Sequence, residues 1–292
     1  MGYIFALIAV FTWGSVFVIS RFVISNNIID PFCLAFWRFF GAWIFLLFFI
    51  KFDFKKVFKI FKNDFLTFLL LSISGIYLMS TFIFLSLKTT SASISSILMN
   101  SNPIFVSLIT FIFLKEKISL FNFIGVIIGF LGCAIVIKGD ILIFSWENKF
   151  GNLWSLLAAI CWAIYTVLGE KPTKKYGAFE TTFIASFIGS IFLFLTVIIL
   201  KLNILGEKVT GFLSGIYLGI VPTGIGFTLW FKAFNYIKPT SLAPFQYLTP
   251  IITIFLSLLI LKEKISSIII FGMFLIFFSI FLTQIPLLKL NK

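Results

Sequence analysis

The stretch Leu114-Lys115-Glu116-Lys117-Ile118-Ser119 returns 147 residues later as Leu261-Lys262-Glu263-Lys264-Ile265-Ser266. At the same offset Pro103-Ile104 returns as Pro250-Ile251. Ser74-Gly75-Ile76-Tyr77-Leu78 recurs as Ser214-Gly215-Ile216-Tyr217-Leu218 at an offset of 140, and Leu7 through Trp13 is similar to Leu156 through Trp162 at 149. One six-residue coincidence would mean little. Several matches in the same order mark an internal duplication. The chain therefore divides into two halves, residues 1–138 and 139–292.

Composition says what each half is made of. Of the 292 residues 61% are apolar and 11% charged, against about 45–50% and about 25% in a soluble domain. The charges are bunched, and the stretches between them are about 20 residues long, enough to cross a ~30 Å hydrocarbon core. Ten spans can be read, at roughly 3–20, 32–50, 65–86, 91–113, 118–137, 152–169, 178–200, 210–231, 238–260 and 265–285. A β-barrel would show segments of about 10 residues with alternating polarity, and none are visible. The expected fold is an all-α polytopic membrane protein, with ten transmembrane helices forming two five-helix repeats around a central cavity. Five spans are an odd number, so the second half enters the membrane upside down. Inverted repeats suit alternating access, because exchanging the conformations of the halves turns an outward-open protein into an inward-open one.

The connections are short, the longest polar one being Lys51–Asp64. Asn26-Asn27 and Asp30-Pro31 supply turn chemistry between spans 1 and 2. The first span lacks a basic n-region and a small-residue cleavage site, so it is expected to be retained. With the N-terminus inside, the inner segments hold fourteen Lys/Arg and the outer segments eight. That bias predicts a cytoplasmic-membrane protein with both termini cytoplasmic. The net charge of +13 sits in loops beside apolar spans, where the expected partner is a bilayer with anionic headgroups rather than nucleic acid.

Several chemistries are excluded. There is no histidine, hence no His triad, His metal site or imidazole relay. Cys33, Cys133 and Cys161 form no C-x-x-C, so they read as small buried apolar groups rather than a disulfide framework or metal cage. No P-loop motif is present, so this chain does not hydrolyse ATP. An intramembrane enzyme would need a nucleophile–base pair or metal cluster at depth, and a channel a ring of charge or a carbonyl filter. Neither is visible. No catalytic residue, metal or cofactor is expected.

At this point the residues resemble a known family. Ala6–Arg21 is similar to the first span of EamA-type members of the drug/metabolite transporter superfamily. So are Trp37-Arg38-Phe39, Thr90-Ser91-Ala92-Ser93 leading to Asn102-Pro103, the Lys-Glu turn after span 4, and Gly125–Gly129. In the second half Ala158–Glu170 resembles the sixth span, and Pro239–Ala243 through Pro250 the ninth. The resemblance covers essentially the whole chain. It implies a ten-helix, two-basket fold with a central cavity, and transport of small metabolites, often export.

Residues at mid-depth are the candidates for a site. Ser95 and Asn102 share a face of span 4 with Met99 between them. Gln246, Thr249 and Thr253 share a face of span 9. Pro103 and Pro250 occupy equivalent places and remove an amide donor, which marks them as helix hinges that free carbonyls near the membrane centre. The competing reading is that these polar groups only join helices. Trp13 and Trp162 match across the repeat at the middle of spans 1 and 6, either as cavity wall and gate or as packing. Tyr77, Tyr165, Tyr247 and Thr223, which follows Pro222, are further candidates. Arg38 is the one charge well inside a span. It is either an anion contact at the outer mouth of the cavity or a structural partner of backbone carbonyls or Asp30. Glu116 and Glu263 are expected to cap the starts of spans 5 and 10. The Gly211-Gly215-Gly219 and Gly125-Gly129 spacings are read as close helix packing.

No Asp or Glu lies in a span interior. A proton-coupled exchanger of cationic drugs needs such a carboxylate, so a neutral, zwitterionic or anionic substrate is expected. The function expected is a secondary transporter exporting a small organic metabolite, an amino acid or similar. The alternative is uptake of a nucleotide-like cofactor or sugar derivative on the same fold.

Overall fold

The computed structural model describes residues 1–51, 53–114, 120–144, 149–237, 242, 245–246 and 248–290, and among them every regular element is a helix. Glu116, with the first Lys-Glu turn, and Tyr247 lie outside the described residues. Helix α1 (Gly2–Ser25) has 24 residues, about 36 Å at 1.5 Å per residue. Asn26 ends it by donating from Nδ2 to the Phe22 carbonyl at 2.8 Å, and Asn27 takes a φ of 52°, a left-handed turn that Asn tolerates. Helix α2 (Pro31–Leu47) starts where Asp30 accepts from the Phe32 amide at 2.9 Å. Pro31 stands at its first position, where no amide is needed.

The polar connection after α2 folds as well. Asp53 accepts from the Lys56 amide at 2.9 Å and opens α3 (Phe54–Asn63). Phe54, Val57, Phe58 and Phe61 recur at helical spacing with lysines between them, giving one apolar and one basic face. Helix α4 (Phe65–Thr89) contains a π-helical segment, Ser72–Leu78. Ser72 and Ser74 donate to the Phe68 and Leu70 carbonyls, each at 2.7 Å. Gly75 lies against the Tyr165 ring so closely that a Cβ would overlap it. Hydroxyls bonding back into the ladder and a glycine without a side chain permit the wider turn.

The next crossing is broken. Helix α5 (Ala92–Met99) stops at Asn100-Ser101, and α6 (Asn102–Leu114) restarts with Pro103 in its first turn. There the missing amide would have had no helical acceptor anyway. Then follow α7 (Leu120–Phe144), α8 (Lys149–Tyr176), α9 (Ala178–Ile199) and α10 (Val209–Ala233), whose π segment Gly219–Ile225 contains Pro222. Helix α11 (Leu248–Ile260) carries Pro250 in its first turn, and α12 (Ser267–Leu290) ends the described chain. The expected hinges therefore stand at helix starts rather than as kinks inside continuous helices.

Among the described residues, six helical segments are long and apolar enough to cross a membrane, and four shorter apolar helices stand beside them. The outside is apolar: Phe11, Phe255 and Phe274 are all more than 60% exposed. The inside holds Ser86, Ser95, Thr181 and Thr253 with no exposure at all. That distribution belongs to a protein whose solvent is lipid. Glycines set the close crossings. Gly132 and Gly272 meet backbone to backbone between α7 and α12. On α10, Gly215 faces Trp37, and Gly219 faces the Arg38 carbonyl and Ala42 amide of α2. The core sits where α1 packs against α4, α5, α10 and α11, and α8 against α4, α5 and α6.

Candidate functional site

Pro222 has no amide hydrogen, so the Leu218 carbonyl four residues earlier loses its helical donor. Thr223 replaces it, donating from its hydroxyl to the Leu218 carbonyl at 2.8 Å. The same hydroxyl oxygen accepts from Arg38 Nε at 2.8 Å. Trp13 Nε1 donates to the Pro222 carbonyl at 2.9 Å. One irregular turn of α10 thus fixes two side chains, from α1 and α2.

Gln246 is the second organiser. Its Oε1 accepts from Asn102 Nδ2 at 2.7 Å and from Trp162 Nε1 at 3.1 Å. An indole N–H can only donate, so Gln246 must present its oxygen there and Asn102 its nitrogen. Gln246 Nε2 and Asn102 Oδ1 are then left without protein partners, as are Thr249 Oγ1 and Arg38 Nη1. All four residues are almost wholly buried.

Aromatic rings close the wall. Trp13 and Trp162 pack edge to face with centroids 5.4 Å apart. Phe227 touches both, at 5.8 and 4.9 Å. Trp13, Arg38, Met99, Trp162, Gln246 and Thr249 line a central cavity, together with Asn100, Phe227 and apolar residues of α1 and α4. Its volume is about 30 Å³. At roughly 10–15 Å³ per water that is room for about two, so the side chains leave little free space at the centre.

Arg38 is 3% exposed and lies over Phe39, Phe84 and Phe227 at 5.1, 5.8 and 5.6 Å. The pairing with Asp30 considered from the sequence does not form. Asp30 stands 3.7 Å from Lys88 instead, and among the described residues Arg38 has no carboxylate partner. It lines the central cavity, where the Thr223 hydroxyl holds its Nε at the π segment.

The other expected site residues fall in different places. Asn102 and Thr223 stand one layer back, holding Gln246 and Arg38. Tyr165 lies behind Trp162, ring centroids 5.3 Å apart. Ser95 does not reach the cavity: its hydroxyl is shared with Ser86 at 2.7 Å and Ser155 at 3.1 Å, joining α4, α5 and α8. Tyr77 faces α9, where its hydroxyl meets Thr196 Oγ1 at 3.0 Å. Asn100 and Phe227 line the cavity without having been singled out. Their signals were weak: a polar residue at the break before Pro103, and an aromatic one turn beyond Pro222.

Glu263 caps a helix, but not its own. Its carboxylate accepts from the Ala92 and Ser93 amides at 2.7 and 3.1 Å and from the Ser93 hydroxyl at 2.7 Å. Helix α12 starts only at Ser267, whereas the open first turn of α5 points free amides at the Glu263 loop.

On the outer surface of the same bundle, Lys56 pairs with Glu180, and Lys175 with Asp64 at 2.9 Å. The bond from Lys175, with a second from the Tyr176 hydroxyl, holds the Asp64 carboxyl below its ordinary value of 3.8.

The EamA-like transporter family's sequence profile matches residues 1–138 and again residues 149–285. A protein of Archaeoglobus fulgidus named an uncharacterized transporter is 30% identical over 257 residues, 86% of each chain. Another uncharacterized transporter, from Clostridium kluyveri, is 25% identical over 93% of this chain and 89% of its own. A crystal structure superposes with a TM-score of 0.71 at 17% identity, covering 100% of this chain and 99% of that one, a likeness of fold.

Proposed function

The chain belongs to the EamA-like transporter family, and on that premise we propose that it exports a small organic metabolite, an amino acid or similar, across the cytoplasmic membrane by alternating access. It is a multi-pass membrane transporter and not an enzyme. The observation that carries the finer reading is the small central cavity, where an aromatic wall meets polar atoms of Arg38, Gln246 and Thr249 that have no protein partners. Each such buried group costs about 1–3 kcal/mol when unsatisfied, a cost removed by a ligand with matching donors and acceptors. Trp13, Trp162 and Phe227 suit an apolar body; Gln246 and Thr249 suit polar groups; the unpaired Arg38 cation suits a carboxylate.

Exchange between open states follows from two halves of inverted topology, residues 1–138 and 139–292. The packing supports this: α1 rests on α10 as α4 rests on α8, while α2 meets α10 and α9, and α7 meets α12. Counting α5–α6 as one crossing and leaving out α3, the π segments fall in the third and eighth crossings, and Pro103 and Pro250 stand in the first turns of helices of the fourth and ninth. These are the places where the α-helical ladder changes pitch or a proline supplies no amide, so the halves part there first. With both termini cytoplasmic, single cysteines at Ser119 and Ser266, in a background lacking Cys33, Cys133 and Cys161, should be labelled from opposite sides. Labelling from one side would refute the inversion.

The function is tested by a thermal-shift screen of the purified protein against amino acids, sugars and nucleotides, followed by counterflow in vesicles. A stabilising amino acid that is also transported is the expected result. Arg38→Ala should then weaken carboxylate-bearing ligands far more than their amides. Binding of nucleotides alone would refute the reading in favour of cofactor uptake.

A further inference from the structure

We propose that α3 and the first turns of α9 form a specific site for one anionic phospholipid. Val57, Phe58 and Phe61 of α3 and Phe183, Ile184 and Phe187 of α9 wall a groove of about 320 Å³ that is almost wholly apolar. The two helices touch little, so the groove is not filled by the protein's own side chains. Its rim is basic. Lys55, Lys59 and Lys62 follow each other at steps of four and three residues, which places them along one edge of the helix. All three are exposed and, among the described residues, have no acidic partner. Lys56, on the neighbouring edge, is already engaged by Glu180, and that pair ties α3 to the start of α9.

This arrangement matches a lipid and little else. An acyl chain fits an apolar groove open along its length, and a phosphate diester fits a stripe of unpaired lysines at its rim. A soluble anion would have no use for the phenylalanines. A zwitterionic lipid would leave the lysine charge unneutralised. The site lies on the outer face of the bundle, away from the central cavity, so it is independent of the transported substrate.

The test is native mass spectrometry of the purified full chain titrated with phosphatidylglycerol and, separately, phosphatidylcholine. One phosphatidylglycerol should bind preferentially. Replacing Lys55, Lys59 and Lys62 together by Gln, with the Lys56–Glu180 pair intact, should weaken it about 100-fold. The triple Lys→Arg variant should retain it. Val57→Trp, which fills the groove and leaves every lysine, should also lower occupancy. Equal binding of the two lipids, full binding by the Gln variant, or full binding by V57W would each overturn the proposal. A Gln or Trp variant that had lost its fold would show the loss in the charge-state distribution of its own spectrum, apart from its lipid occupancy.

Discussion

Replacing Gln246 by alanine removes the single acceptor shared by Asn102 and Trp162. The two donors do not suffer equally. Asn102 Nδ2 keeps a long bond of 3.3 Å to the Met99 carbonyl, whereas Trp162 Nε1 is left with nothing in a wall that is 2% exposed. An orphaned buried donor costs about 1–3 kcal/mol and a lost net hydrogen bond about 0.5–1.5 kcal/mol, so Q246A should lower stability by roughly 2–4 kcal/mol. Asn102→Ala removes only one donor from an oxygen that Trp162 still satisfies, and should cost roughly 0.5–1.5 kcal/mol. Combined with Asn102→Ala, the change should be less than additive, because both act on one oxygen. Denaturant titration of the three variants against wild type measures all of this without a known substrate. With a ligand in hand, losing Gln246 Nε2 should weaken binding about 2- to 13-fold. If Q246A unfolds with wild-type free energy, or is no worse than N102A, Gln246 does not organise the cavity and the site construction fails.

Glu263→Gln should cost about 1–3 kcal/mol, because charge-assisted bonds to the Ala92 and Ser93 amides are replaced by weaker neutral ones. Transport per folded molecule should stay near wild type; normal expression with transport abolished would make Glu263 a coupling residue instead. Gly75→Ala should lower stability by about 1–3 kcal/mol, since the new methyl meets the buried Tyr165 ring; an unchanged melting temperature would show that the ring gives way. The Asp64 carboxyl is held below 3.8 by Lys175 and Tyr176, so its stabilisation is complete above that value and fades as pH falls below it. Asp64→Asn should abolish that part of the acid sensitivity, and identical acid unfolding curves for the two proteins would refute the assignment.

Much of the architecture is a local property and could be read directly. A span declares itself by about 20 apolar residues whatever it packs against, and Asp30-Pro31 opens α2 because capping involves only neighbouring atoms. The sequence marked Trp13, Trp162, Asn102 and Gln246 as candidates for one cavity, while the contacts of Trp13 with Trp162 and of Asn102 with Gln246 appear only in the fold. What could not be read was decided by partners distant in the chain. The π segments depend on Tyr165 against Gly75 and on Trp13 and Arg38 reaching Pro222 and Thr223. Glu263 caps α5 across 170 residues, since free amides recruit whichever carboxylate the fold brings near. Ser95, polar and at the right depth, turns to Ser86 and Ser155 because helical phase relative to a neighbour is fixed only by packing. Sequence alone thus determined that the chain is a set of long apolar helices and that polar residues recur inside those segments. Tertiary structure decided which of those residues face one another and which face the cavity, because hydrogen-bond partners inside a bilayer must be found on other helices.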